Sequence, residues 1–247
     1  MKLYFAGLCD PQLITEETRV LLSYLDKEQI VQVGKPLFLD SGAFSMFTRG
    51  KQIDINEYVD YIKAELPRFE IYASLDVIGD WKASRKNTEY MESKGLKPLP
   101  VFHYGGPLKE LQYLVDKYDY FALGGLVPLS KNRAKLQQWL DYCFTHIKPL
   151  KKVHAFGITG QSLTRYPLYS ADSTSWLINS SFRKTCEHKQ GVVSVLYKES
   201  HLAPTSKNYK SHIFDDVEIR RHAIEEYIKL EKYITRLWEK RGIVWED

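Results

Sequence analysis

The feature that most constrains this chain is an alternation. Short β-rich runs recur along it, and amphipathic helical stretches separate them. The runs are residues 2–7, 36–41, 69–76, 99–104, 118–124, 153–157, 168–172 and 192–197. Strands joined by helical crossovers run parallel, and eight such strands are enough to close a barrel. The expected fold class is therefore α/β: a single (β/α)8 TIM-type barrel spanning residues 1–247, with a long C-terminal helix. A length of 247 residues fits one such barrel, which needs roughly 250. An open doubly wound sheet is the main rival. It usually shows a phosphate-binding glycine turn after its first strand, and Ala6-Gly7-Leu8-Cys9-Asp10 is not one; no Walker loop occurs either.

Two helices are readable in some detail. Leu136, Leu140, Cys143, Phe144 and Ile147 recur at spacings of three and four, with Ser130 placed as N-cap. In the last helix Asp215 and Glu218 read as a capping box, Ile224, Tyr227, Ile228, Ile234 and Trp238 as the apolar face, and Gly242 as the stop. The longest polar stretch, residues 199–214, reads as a loop on the catalytic face after the eighth strand.

Composition narrows the class. Hydrophobic residues make up 44% and aromatics 13%, ample for a core and too much for a disordered chain. Three widely spaced cysteines, Cys9, Cys143 and Cys186, argue against a disulfide framework, and no CxxC motif marks a metal site. The start of the chain reads as a first strand and not as a signal peptide, and no stretch has the roughly 18 apolar residues of a membrane span. The expectation is a cytoplasmic protein with no membrane partner. A formal charge of +4, with basic clusters at Lys82/Arg85/Lys86, Lys131/Arg133/Lys135, Lys148/Lys151/Lys152 and Lys207/Lys210, permits a nucleic-acid partner without requiring one.

Barrel enzymes build their sites at the C-terminal ends of strands. Those ends read here as Asp40-Ser41-Gly42-Ala43-Phe44, Ser74-Leu75-Asp76, Phe102-His103-Tyr104-Gly105-Gly106, Leu123-Gly124-Gly125-Leu126, Phe156-Gly157-Ile158-Thr159-Gly160 and Ser170-Ala171-Asp172. Aspartate and glycine are poor strand formers, so their recurrence at one level needs a cause. Capping of the following helices accounts for one or two aspartates. Three converging carboxylates suit other work: attack on an anomeric carbon with a covalent sugar intermediate, hydrogen bonding to a purine edge, or proton transfer to a leaving base. Phe44 is placed either to stack on a heterocycle or to fill the core.

These residues resemble the tRNA-guanine transglycosylases, and most of all the compact, phage-type relatives that insert 7-deazaguanines into DNA. Asp40-Ser41-Gly42-Ala43-Phe44 is similar to the family's Asp-Ser-Gly-Gly-Phe/Tyr segment. Gly105-Gly106 and Gly124-Gly125-Leu126 match its Gly-Gly and Gly-Gly-Leu strand ends, Phe156-Gly157-Ile158-Thr159-Gly160 resembles its Met-Gly-Val-Gly region, and Asp172 falls at its nucleophile. Order and spacing agree from about residue 36 to 176. The resemblance implies that Asp172 attacks C1′ of a nucleoside and expels guanine, while Asp40 assists proton transfer and Asp76 binds the base. It further implies base contacts by Phe44, Ser41, Gly42, His103, Tyr104, Gly105, Gly124, Gly125 and Leu126. A free 7-deazaguanine such as preQ0 or preQ1 then takes guanine's place, with no cofactor and no metal. The target base must leave its stack, which favours flipped or single-stranded substrates.

The departures are as informative. Tyr104 stands where the family usually has a base-binding glutamine, and Ser173-Thr174-Ser175-Trp176 after Asp172 is unlike the tRNA enzymes' Cys-Val-x-Pro-Thr-Arg. Their Cys-x-Cys-x-x-Cys…His zinc site is absent, as is room for the insertion that carries it. DNA is therefore the expected partner and tRNA the alternative, and the phage-type likeness adds virus-encoded action in a host cytoplasm as a setting. Two other classes remain. One is a metal-dependent barrel hydrolase using His103, His154 and the aspartates, although no His-x-His or His-x-x-x-His spacing occurs. The other is a non-catalytic nucleic-acid binder, which has no reason to turn three aspartates toward a polyanion.

Overall fold

The computed structural model describes residues 1–177, 186–195 and 216–246. The expected loop 199–214, the cap at Asp215, Tyr197 and the Lys207/Lys210 pair lie outside the described residues.

Eight parallel strands form one curled sheet: β1 (Lys2–Ala6), β2 (Arg19–Ser23), β3 (Leu37–Asp40), β4 (Phe69–Tyr72), β5 (Val101–His103), β6 (Tyr120–Gly124), β7 (Lys152–Ala155) and β8 (Ser170–Ser173). Their spatial order is β4-β3-β2-β1-β8-β7-β6-β5. That is the cyclic order of a TIM-like barrel opened between β4 and β5. No ladder joins those two strands, but one parallel bridge, Ala73 to Leu99, links the segments beside them. There the Leu99 N–H donates to the Tyr72 carbonyl and the Ser74 N–H to the Leu99 carbonyl, each at 2.8 Å.

Two corrections follow. Residues 19–23 form β2, a strand that the alternation of runs and helices does not announce, because a single 3-10 turn, Pro11–Leu13, takes the place of a helix between β1 and β2. The run 192–197, expected as the eighth barrel strand, contributes β10 (Val192–Val195), which pairs antiparallel with β9 (Cys186–Lys189) in a separate hairpin. Its turn residues Gln190 and Gly191 both have positive φ, the geometry of a tight hairpin, so the valine-rich run pairs with its sequence neighbour.

The helices are α1 (Lys27–Ile30), α2 (Ala43–Thr48), α3 (Ile55–Ala64), α4 (Trp81–Ser93), α5 (Leu108–Lys117), α6 (Arg133–His146), α7 (Gln161–Arg165) and α8 (Asp216–Lys240). Leu136, Leu140, Cys143 and Ile147 are buried as expected, but Asn132 caps α6, and the Ser130 hydroxyl donates to the Val127 carbonyl. On α8, Ile224, Tyr227, Ile234 and Trp238 are buried, each side chain contributing about 1.5–3 kcal/mol. Polar ties add direction: the Leu3 N–H donates to Glu231 Oε2 at 2.7 Å, Arg19 pairs with Glu231, and Trp238 Nε1 donates to the Leu163 carbonyl at 2.9 Å. Gly242 ends this region with φ +81°. All three cysteines are free. Among the described residues no helix is long and apolar enough to cross a membrane.

Side chains alternate across a strand, and this sorts the sheet into two faces. Leu3 and Phe5, Val20 and Leu22, Leu37 and Leu39, Phe121 and Leu123 pack outward into the main core with the helices. Tyr4, Ala6, Leu21, Phe38, Val101 and Ala122 form a second, smaller cluster on the other face, inside the curl. Two residues on from Phe38, Val101 and Ala122 stand Asp40, His103 and Gly124, and Asp172 follows Ser170 in the same way. The period of two therefore aims these residues into the C-terminal mouth of the sheet.

Candidate active site

Asp40 is the last residue of β3, and Asp172 lies within β8. Asp76, expected at a strand end, sits in the loop after β4, because that strand stops at Tyr72 and the chain leaves the sheet after the Ala73 bridge. None of the three caps a helix in the ordinary way. Asp54 caps α3, Asp80 caps α4 and Asn132 caps α6, so the capping explanation for the site aspartates falls.

Each carboxylate has a different environment. Asp172 is buried, and its Oδ1 accepts two hydrogen bonds, from the Gly157 N–H at 2.8 Å and from His154 Nε2 at 3.2 Å. Both anchors hold the same oxygen, and Oδ2 has no hydrogen-bond partner among the described residues. Gly157 has φ +70°, and a Cβ there would lie 2.3 Å from Val127 Cγ2, so a side chain would push the turn that presents its N–H. Asp76 lies beside His103, with Nε2 to Oδ2 at 3.0 Å, and the Ser74 hydroxyl donates to Oδ1 at 3.3 Å. The two groups are within ion-pair distance, but the His103 Nε2 makes no aligned hydrogen bond to that oxygen. Burial opposes protonation of His103, but the charge of Asp76 outweighs it and raises the imidazole pKa.

Asp40 is the perturbed member. Burial, then the negative charge of Asp172, push its carboxyl up to about 7; the Gly42 N–H, donating to Oδ2 at 3.1 Å, opposes the shift, and Asp76 adds to it. Asp172 and Asp76 thus share one electrostatic neighbourhood with Asp40. Tyr58 belongs to it too: it is buried, its hydroxyl donates to the Ala73 carbonyl at 2.9 Å, and burial together with Asp40 and Asp76 hold its pKa well up.

The other predicted residues divide into those near this centre and those on its rim. Ser41 is buried next to Asp40. Gly42 opens α2, which carries Phe44 outward to 46% exposure; the ring is not a core residue. Tyr104 follows β5, is 48% exposed and meets Trp139 edge-on, with Gly105 beside it in the open turn. Gly124 acts by being small. A Cβ there would come within 2.7 Å of Val101 Cγ1 and 2.9 Å of His103 Cε1, so its bareness lets His103 lie across β6. Gly125 backs on Tyr104, and Leu126 buries its side chain completely. Aspartates and histidine are therefore brought together inside the mouth, and two exposed aromatics, Phe44 and Tyr104, follow the strands β3 and β5 that carry Asp40 and His103.

Sequence reasoning assigns no role to Ser170, and none to His154 beyond the hydrolase alternative. Both are fully buried and sit opposite each other in the β7–β8 register. The available signal is their alternation: Ser170 is two residues before Asp172, and His154 two before Phe156.

No family model and no curated protein sequence matches this chain. Among the described residues, no group of three or more histidine, cysteine, aspartate or glutamate side chains is arranged to hold a metal ion.

Proposed function

We propose that this protein is a pentosyltransferase that exchanges guanine in DNA for a 7-deazaguanine base. The observation that carries the reading is the division of labour between two neighbouring carboxylates. Asp172 has one oxygen anchored and the other without a partner among the described residues, the arrangement of a nucleophile. Asp40, raised to about 7 by burial and by Asp172, carries a proton near neutral pH, the arrangement of a general acid and base.

In the first half-reaction, Asp172 Oδ2 bonds to C1′ as the bond from C1′ to N9 of guanine breaks. The bonding pair leaves with the base, and the Asp40 proton goes to it. In the second half, the incoming base gives its proton to Asp40, its nitrogen attacks C1′, and the ester to Asp172 breaks, so configuration is retained overall. In this reading Asp76 with His103, and the buried Ser41–Gly42 turn beside Asp40, bind the base. Phe44 and Tyr104 offer exposed rings on which bases of an unstacked strand can rest.

The choice of DNA over tRNA rests on the resemblance of the residue 36–176 motifs to the compact DNA-acting enzymes and on the missing zinc segment. Incubation with labelled guanine and either DNA or tRNA tests it. Label in DNA alone supports the reading, and label in tRNA alone transfers it to the tRNA class. Release of free guanine without incorporation reassigns the protein to hydrolysis, and no reaction with either nucleic acid, beside a working control enzyme, overturns it.

A further inference from the structure

Behind Asp172 the interior of the sheet contains polar groups that the exchange mechanism does not use. His154 is completely buried, ringed by Tyr4, Phe38 and Phe156 with ring centroids 6.1, 4.8 and 4.5 Å away. Its Nε2 meets Asp172 Oδ1 at 3.2 Å, and its Nδ1 meets the Ser170 hydroxyl at 2.7 Å. The same hydroxyl meets the Tyr120 hydroxyl at 2.7 Å. Tyr120 is the first residue of β6 and Asp172 lies near the end of β8, so the chain of contacts crosses the interior from the N-terminal end to the catalytic mouth.

The direction of every bond in this chain follows from one charge. An ionised Asp172 accepts only, so Nε2 must carry hydrogen. Nδ1 is then the acceptor, and the Ser170 hydroxyl must donate to it. With its own hydrogen committed, Ser170 accepts from Tyr120. Burial raises the Tyr120 pKa, so that phenol keeps its proton. The reverse order would set a bare Nε2 against a carboxylate in an apolar interior, where such a contact is costly.

We propose that His154 is a positioning residue for Asp172, and that Ser170 and Tyr120 fix its Nε2–H tautomer so that Oδ1 is tied and Oδ2 is presented to the sugar. This deepens the exchange reading and rests on it for the meaning of "presented". The hydrogen-bond order itself does not depend on it. Such an arrangement accounts for a fully buried histidine beside a reactive carboxylate, and it predicts that the chain influences the bond-making step and not the binding of free base.

The test has two arms, both on the full chain. In 15N-histidine-labelled protein, long-range proton–nitrogen spectra report which ring nitrogen bears hydrogen, with His154 assigned by its absence in His154→Gln. The expected result is an Nε2–H ring, and loss of that preference in Ser170→Ala but not in Ser170→Thr. An Nδ1–H ring, or a spectrum indifferent to Ser170→Ala, overturns the proposal. In the second arm, Ser170→Ala, two contacts behind Asp172, should lower the rate of adduct formation by up to about 10-fold, the lower end of the loss seen when the group directly behind a functional ligand is removed, and Tyr120→Phe, one contact further out, by less, with KM for the free base unchanged. An unchanged rate, or a change confined to KM, also overturns it. If the expected tautomer is found in a protein that exchanges no base, the functional reading fails and the hydrogen-bond order stands.

Discussion

Replacing Asp40 with asparagine removes a charge that the folded protein holds at a cost, and the cost is open to calculation. The carboxyl moves from an ordinary value of 3.8 to about 7 on folding, for the reasons of burial and the Asp172 charge. A tenfold change in proton affinity corresponds to about 1.4 kcal/mol, so the penalty reaches about 4 kcal/mol at pH 8, before relaxation reduces it. The sign is set by proton affinity: the folded protein binds this proton more tightly than the unfolded chain. Stability from this group is therefore complete below about pH 4, declines as pH rises through the interval to about 7, and is level above about 8. Asparagine imitates the protonated form and keeps an oxygen for the Gly42 N–H. Urea titrations at pH 4, 6 and 8 should thus show Asp40→Asn close to wild type at pH 4 and more stable by several kcal/mol, about 4 at most, at pH 8. Exchange activity should fall at the same time, the familiar opposition of stability and function in a strained site. A stability difference that stays constant between pH 4 and 8, or a variant that is less stable throughout, would show that the fold does not raise the Asp40 carboxyl. Because the two carboxyls are coupled, Asp172→Asn should lower the Asp40 pKa and flatten the wild-type pH dependence.

Three further outcomes are expected. Asp172→Asn should abolish the denaturation-resistant adduct with nucleic acid, while Asp40→Asn still forms one more slowly; a gel shift after denaturation reads both, and an adduct surviving in Asp172→Asn removes it as nucleophile. Gly157→Ala should cost about 1–2 kcal/mol of stability, since an L-residue is strained at φ +70° and its Cβ meets Val127, and it should weaken the Gly157 hold on Asp172; thermal melts and adduct rates measure the two effects. Phe44→Ala should change stability by no more than about 0.5 kcal/mol, as exposed side chains do, while Tyr104→Ala loses the edge contact with Trp139 and should cost about 0.5–1.5 kcal/mol; each should weaken single-stranded nucleic-acid binding by about 1–3 kcal/mol, measured by fluorescence anisotropy.

Local periodicity made much of the architecture legible. Seven of the eight expected runs coincide with strands of the parallel sheet, and of the three aspartates read at strand ends, Asp40 and Asp172 lie on strands whose side-chain alternation turns them inward. What stayed hidden is non-local. The five-residue strand β2 has no helix before it to announce it, and Val192–Val195 has strand composition whichever sheet it joins. The capping question for the aspartates could not be settled without knowing that Asp54 and Asp80 already fill those positions. His154 and Ser170 acquire meaning through the β7–β8 register, and Asp40 through charges on two other segments.

The unequal standing of the aspartates also suits the order of events in the proposed reaction. Asp76 has the His103 imidazole 3.0 Å away, and Asp172 has two donors on one oxygen. Asp40 has backbone N–H groups, which burial and the neighbouring anion outweigh, so its carboxyl is raised to about 7. Once Asp172 forms an ester with C1′ its negative charge is gone. The repulsion that raised the Asp40 pKa then weakens, and Asp40 becomes a stronger acid at the moment the departing base needs a proton. When the incoming base displaces Asp172, that charge returns and the proton affinity of Asp40 rises again, as the base must lose its own proton. In the proposed reaction, the electrostatic coupling of Asp172 to Asp40 thus favours proton transfer in both directions, with no further group needed to reset the site.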